Sequence, residues 1–261
     1  MLQISTDQLV TWVVAFMWPL SRILGLFSSS PLFSLSNFPM MARVGMGLAI
    51  TILIAPVLPP HSIQDPFSFA GFASLFNQFI IGISIGFVLR IFFTAIEMTG
   101  NLIGMSMGMG FASFYDPQTQ SQTQVISQFF SMVLILLFIT TDLHLLVIES
   151  LVNSFYTIPF DQTSLNIKGF KDIAFLGAKV FSIGLQLSLP LVTALLITNL
   201  ALGVLTKAAP QLNIFGIGFP ITMAVGLTMI FVSLPYLITP FIKTLSDGIE
   251  AIRITTQSLV N

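Results

Sequence analysis

The stretch FAGFASLFNQFIIGISIGFVLRIFFTAI, residues 69–96, decides the fold class. Its side chains are apolar or uncharged, apart from a single charge at Arg90. It is longer than the roughly 20 residues that a helix needs to cross the hydrocarbon core of a bilayer. Backbone groups in hydrocarbon must be satisfied within the segment or in a closed barrel, and the stretch lacks the alternation of a barrel strand. It therefore predicts a transmembrane α-helix.

The composition of the whole chain supports the same class. Of the 261 residues, 55% are hydrophobic and 7% are charged, whereas soluble domains carry about 25% charged residues. A soluble protein with so little charge would lack a polar surface, so the chain is predicted to be an integral membrane protein. The formal net charge of −1 argues against a nucleic-acid partner. The lack of cysteine excludes disulfides, thiol catalysis and cysteine-bound metals.

Apolar segments recur along the chain, and about six of them are long enough to span a membrane. They predict an all-α membrane protein. The most polar region, residues 161–172, is predicted to be an exposed loop, and residues 243–261 are predicted to include a short amphipathic helix. Besides residues 69–96, the apolar segments are 9–33, 40–58, 125–141, 175–204 and 215–242, with a shorter and ambiguous segment at 143–156.

Charged residues inside or beside these segments, among them Arg22, Arg90 and Glu97, each need a partner or a route to water. Arg90 and Glu97 are spaced i, i+7 and share one helix face, so they are a candidate charge pair lining a pathway. The alternative is that each snorkels to the interface or pairs with a neighbouring helix. The sequence contains no nucleophile-elbow, zinc-protease or P-loop motif, and we predict no catalytic residue, no metal site and no cofactor.

The strip GMSMGMGFASFYDPQTQSQTQ, residues 104–124, interrupts the apolar pattern. Glycines permit close approach or departure from the helix, methionines repack around objects of varying shape, aromatic rings obstruct, and an Asp-Pro pair turns the chain. The candidate gating residues are Gly108, Gly110, Phe111, Phe114, Tyr115 and Asp116, and the candidate residues of a soft gasket are Met105, Met107 and Met109.

The residues alone leave three interpretations of this strip open. A hydrophobic constriction of this kind seals a pore by dewetting. A run of small residues is equally typical of a helix-packing interface followed by an ordinary polar loop. Together with a second Gly/Pro interruption at residues 209–220, the strip also fits the paired broken segments of a small-solute transporter or permease.

Several stretches resemble the FliR/SpaR/YscT-type family of type III export-gate proteins, and its flagellar branch in particular. The most specific is NLALGVLTKAAPQLNIFGIGFPIT (199–222), and GMSMGMGFASFYDP (104–117) is a second. The resemblance continues in WPLSRILGLFSSSPLF (18–33) and RVGMGLAITILIAPVLPP (43–60), so it covers essentially the whole chain.

The resemblance implies a non-enzymatic subunit of the gate through which unfolded flagellar proteins leave the cytoplasm. It implies long broken helical hairpins, with a FliP-like part in residues 1–165 and a FliQ-like hairpin in residues 166–261 that breaks near Lys207 and Pro210. Residues 108–122 then form a plug loop, and FliP supplies most of the methionine gasket.

The same resemblance implies the surroundings of the protein. We expect a hetero-oligomer with FliP and FliQ, and with FlhB, in contact with lipid. We expect it as a multi-pass protein of the bacterial cytoplasmic (inner) membrane, in the flagellar basal body. The equivalent subunit of a virulence type III secretion system is the alternative within the family.

Overall fold

Seven α-helices and one short 3-10 helix (Ala55–Val57), with no strand, make up the regular structure of the described residues. The computed structural model describes residues 6–33, 39–58, 68–109, 125–160, 165–209 and 214–260. The prediction of an all-α protein is confirmed. The helices are α1 (Thr6–Ser29), α2 (Met40–Ile54), α3 (Phe69–Ser106), α4 (Val125–Thr140), α5 (Leu143–Thr157), α6 (Ile167–Ala208) and α7 (Ile214–Ser258).

Within the described residues, four helical stretches are long and apolar enough to cross a membrane. A fifth results if α4 and α5, which meet at a bend of 70°, are counted as one broken span. Each of the apolar segments counted in the sequence, including residues 9–33, falls largely within a helix. The chain is thus a multi-pass helical membrane protein. The four stretches are Met40–Val57, Phe69–Ser106, Ile167–Ala208 and Gly218–Ser258.

Two local predictions were wrong because helices continue through polar sequence. Residues 161–172 were predicted to be a loop, but α6 already begins at Ile167. The side chain of Asn166 accepts a hydrogen bond from the backbone N–H of Lys168 at 2.9 Å, which is the geometry of a helix N-cap. The tail from residue 243 is not a separate short helix, because α7 runs unbroken to Ser258.

The described residues divide by their contacts into two compact units. The first draws on Met1–Ile91, Asp142–Leu176 and Ser246–Asn261, and the second on Phe92–Thr141 and Gly177–Leu245. This division is spatial and takes each unit from several parts of the chain. The division into a FliP-like part, residues 1–165, and a FliQ-like hairpin, residues 166–261, rests on family resemblance and not on contacts. It stays a prediction.

In the first unit, α1 and α3 approach each other closely because both present glycine. A Cβ atom at Gly25 would lie closer than 3.0 Å to the carbonyl oxygen of Phe79, and one at Gly82 would be as close to the carbonyl oxygen of Arg22. Gly86, one turn further along α3, meets the α1 backbone in the same way. Small residues spaced four apart allow such close crossings in apolar surroundings.

The crossing brings the fully buried guanidinium of Arg22 against neutral acceptors on α3 and α5. Its Nε donates to the side-chain oxygen of Gln78 at 2.8 Å, and its Nη2 donates to the same oxygen and to the Ile158 carbonyl. Its Nη1 donates to Ser154 Oγ at 3.0 Å. The ring of Phe155 stacks 4.2 Å from the guanidinium carbon. The charge is therefore satisfied by hydrogen bonds and a cation–π contact.

In the second unit, aromatic rings and small residues join α3, α4 and α7. Phe130 meets Phe241 edge-on with ring centroids 5.5 Å apart, and Phe93 packs in the same manner on Phe138. A Cβ at Gly100 would lie 2.6 Å from the Cα of Ser127, so α3 and α4 are in backbone contact there. These buried rings form the apolar core that supports the end of α3.

The glycine crossing yields a first prediction. We expect Gly82→Ala to destabilise the protein by about 3 kcal/mol, the upper range for overpacking, because the added methyl group meets backbone rather than a movable side chain. The thermal stability of the purified protein and its amount in membranes measure the effect. Gly45→Ala is the matched control, since a Cβ there has nothing within 4 Å. Equal stability of the two variants would show that the close crossing does not contribute.

The Arg22 site yields a second prediction. Gln78→Leu alone leaves a buried charge without its main acceptor, and we expect a loss of about 3–5 kcal/mol. The double change Arg22→Met/Gln78→Leu removes the charge together with its partner, so we expect it to be less damaging than Gln78→Leu alone. Thermal stability of the purified variants gives the comparison. A double variant less stable than Gln78→Leu would contradict this account of the site.

Candidate functional site: the end of helix α3

The end of α3 leads directly into the strip that the sequence marked for gating. The structure describes this strip as far as Met109. Residues 104–109, which lead into the predicted plug, are called its stem here. Five of the predicted gating residues lie outside the described residues, and their role stays a prediction. They are Gly110, Phe111, Phe114, Tyr115 and Asp116.

The three candidate gasket methionines have different surroundings. Met105 is 63% exposed, whereas Met107 is fully buried and Met109 nearly so. Of these three methionines, Met105 alone presents an exposed side chain. Met107 is part of the packed interior of the second unit, where its flexible side chain fills space between helices.

The side chain of Met107 packs on α7 at Gly226, which has no side chain of its own. A Cβ atom at Gly226 would lie 2.5–2.7 Å from Cγ, Cε and Sδ of Met107. The hydroxyl of Thr222, one turn earlier on α7, donates to the carbonyl oxygen of Met107 at 3.0 Å. Gly226 therefore provides the room for the side chain, and Thr222 holds the backbone.

The residues on either side of Met107 also contact other helices. We call this set of contacts, between the end of α3 and residues Asn199, Thr222 and Gly226, the anchor. The carbonyl oxygen of Ser106 accepts a hydrogen bond at 3.2 Å from the side-chain amide of Asn199 on α6. Gly108 has a φ of +86°, the left-handed region that favours glycine. Its Cα faces the ring of Phe219, which a Cβ would meet at 3.4 Å. The chain thus leaves α3 at a fixed point and with a defined turn.

Arg90 and Glu97 both lie in α3, with Arg90 exposed and Glu97 half-buried. The carboxylate of Glu97 accepts a short hydrogen bond of 2.6 Å from the hydroxyl of Ser131 on α4. A hydroxyl partner of this kind satisfies one oxygen of a carboxylate in apolar surroundings. The pairing of Glu97 with Arg90 stays a prediction.

At the other interruption, α6 ends at Ala208 and α7 begins at Ile214. Lys207 lies exposed in the last turn of α6, where a cation interacts favourably with the helix dipole. Pro210 lies outside the described residues. The described residues also contain no cluster of three or more His, Asp or Glu side chains arranged to hold a metal ion.

Sequence comparison identifies the family to which these features belong. Residues 13–248 match the model of the bacterial export proteins, family 1. The chain belongs to this family. The predicted resemblance is confirmed, since the family is one of export-apparatus components.

Relatives from several bacteria match the chain over nearly its full length. It is 42% identical to a protein of Pectobacterium carotovorum over 94% of this chain and 93% of the relative. It is 40% identical to one of Escherichia coli K12 over 95% of each. A third, from Bacillus subtilis, is 29% identical over 92% of this chain and 93% of the relative. Each of these three proteins is named flagellar biosynthetic protein FliR.

Three residues of the anchor, Asn199, Thr222 and Gly226, were not found by sequence reasoning. Each is a small or polar residue inside an apolar helix, which in membranes signals contact with another helix. That signal marks the residue but not its partner. Nearly a hundred residues or more separate each of them from the end of α3.

The candidate charge pair yields the third prediction. If Arg90 and Glu97 compensate each other, Glu97→Gln alone leaves Arg90 without a counter-charge, and the double change Arg90→Gln/Glu97→Gln is less harmful. The amount of assembled complex in membranes measures both variants. Ser131→Ala is the control, because it removes the observed hydrogen bond and keeps both charges. Equal defects in the single and double variants would argue against pairing.

Proposed function

We propose that the chain is a subunit of the flagellar type III protein-export gate in the bacterial cytoplasmic membrane. Its membership of a bacterial export family, together with relatives that are named for flagellar biosynthesis, carries this proposal. In this role it has no chemistry of its own. The sequence contains no nucleotide-binding motif, so the energy for export comes from partners.

The proposed contribution to the gate is closure of the pore by residues 108–122. The fastened stem supports this proposal, because a plug needs a fixed origin. So does the composition of the strip, in which aromatic side chains obstruct and methionines adapt to a passing polypeptide. The mechanism is passive: the loop blocks ions in the closed state and moves aside for an extended, unfolded substrate.

The dimensions of α6 and α7 support assembly with other subunits. A helix of 42 residues such as α6 is about 63 Å long, whereas the hydrocarbon core of a bilayer is about 30 Å thick. Yet only 22% of the most apolar part of each helix is buried, against 67% for α3. Lipid alone is too thin to cover so long an apolar surface. We infer that sister helices, those of FliP, FliQ and FlhB, cover the remainder.

The exposed side of α6 shows what such a partner meets. Large side chains recur along it at intervals of one or two turns, and each is roughly half exposed or more. Such a stripe matches the ridges of another apolar helix. The residues are Phe181, Leu185, Leu189, Leu196, Leu200 and Val204.

Deleting Gly110–Phe114 tests the plug. We expect ion and small-molecule leakage across the membrane to rise, because the deletion removes the obstructing residues while α3 and its anchor stay intact. The triple change Gln118→Ala/Gln120→Ala/Gln122→Ala is the matched control in the same loop, and we expect it not to leak. Unchanged permeability of the deletion variant in an assembled complex would refute the plug.

Native mass spectrometry of the complex purified from membranes tests the assignment itself. An export-gate subunit co-purifies with unlike helical subunits, and its loss abolishes motility. A small-solute transporter is instead found alone or as a homo-oligomer, with a saturable solute flux. Loss of effector secretion with intact motility would place the protein in a virulence system.

A further inference from the structure

The carbonyl groups at the end of α3 are capped by side chains of other helices. The last carbonyl groups of a helix have no partner within that helix and need one elsewhere. Here two consecutive groups, the carbonyls of Ser106 and Met107, receive side-chain donors from two other helices, the amide of Asn199 on α6 and the hydroxyl of Thr222 on α7. The side chain of Met107 fills the space above Gly226.

From this geometry, and resting on the proposed function, we propose that Asn199, Thr222 and Gly226 are positioning residues of the export gate. They hold the end of α3 on the C-terminal helices in the closed and the open state alike. The gate-bearing strip therefore begins at a fixed point on α7, and this end of α3 does not move during export.

Two features of the site support a permanent fastening. Separation of α3 from α7 would leave the carbonyl of Met107 without its donor in an apolar interior, which is costly. It would also empty the space that the fully buried Met107 side chain fills on Gly226. Immediately after Met107, the backbone enters the left-handed region at Gly108 and turns away from the helix. The change of direction thus lies just beyond the last fastened residue.

The seat for Met107 is tested by a compensating pair of substitutions. Gly226→Ala displaces Met107, and we expect a several-fold rise in ion leakage with the amount of assembled complex unchanged. Adding Met107→Ala frees the space that the new methyl group occupies, and we expect leakage to return toward the wild-type level. Gly203→Ala is the control, since a Cβ at this position of α6 has nothing within 4 Å. No leakage from Gly226→Ala, or no rescue by Met107→Ala, would overturn the proposal.

The hydrogen bond is tested separately from packing. Thr222→Val keeps the shape of the side chain and removes its donor, whereas Thr222→Ser keeps the donor and removes a methyl group. We expect Thr222→Val to leak several-fold more than the wild type and Thr222→Ser to leak little. The same hydroxyl also lies 3.0 Å from the Phe219 carbonyl within α7. If packing alone mattered, Thr222→Ser would be the leakier variant, and this outcome contradicts the proposal.

A cross-link tests whether the fastening stays closed during export. The chain has no cysteine, so the pair Met107→Cys/Gly226→Cys gives one defined disulfide on oxidation. We expect the oxidised and the reduced complex to export flagellar substrate at the same rate. Export that stops on oxidation and resumes on reduction would show that α3 must leave α7, and would overturn the proposal. The proposed function fails by different results: no leakage after deletion of Gly110–Phe114 refutes the plug, and purification without unlike helical subunits refutes the assignment as an export-gate subunit.

Discussion

The first unit depends on one buried cation that has no carboxylate beside it among the described residues. The guanidinium of Arg22 lies in an apolar interior, where an unsatisfied charge would be prohibitive. Its donors are directed at oxygens on α3 and α5, 56 or more residues away in sequence. These bonds form only if α1 and α3 cross closely, and Gly25 and Gly82 permit that crossing. Helix spacing and charge satisfaction therefore depend on each other.

The second unit follows the same rule with neutral groups. Where water is scarce, the open carbonyls at a helix end must be matched by side chains from other helices. Asn199 and Thr222 do so at the end of α3, and the hydroxyl of Thr99 lies 3.4 Å from the carbonyl of Gly184 on α6. Polar residues within these apolar helices thus join neighbouring helices at defined points, in addition to the aromatic contacts of the second unit.

The contrast explains how far the sequence could be interpreted. Hydropathy predicted where helices run, because length and apolarity alone decide that property. It misplaced the start of α6, where Asn166 caps the helix inside polar sequence. It marked Arg22 and Glu97 as charges needing partners, but Gln78 and Ser131 are distant in sequence, and no periodicity links them. The composition of the strip made it a candidate gate, and the family resemblance favoured that interpretation over the alternatives. The anchor on Thr222 and Gly226 follows only from the structure.

The burial pattern separates the contacts that the chain makes by itself from the surface that it leaves for an assembly to cover. Arg22 and Thr222, which carry polar contacts between helices, are buried within the units. Large apolar side chains on α6 and α7 are instead exposed over lengths greater than a bilayer. The chain therefore provides internal acceptors for the donors of Arg22 and Thr222 and leaves apolar surface for others to cover. That arrangement suits a subunit that folds its own helices first and then joins an assembly, because apolar contacts form between units without breaking any internal hydrogen bond.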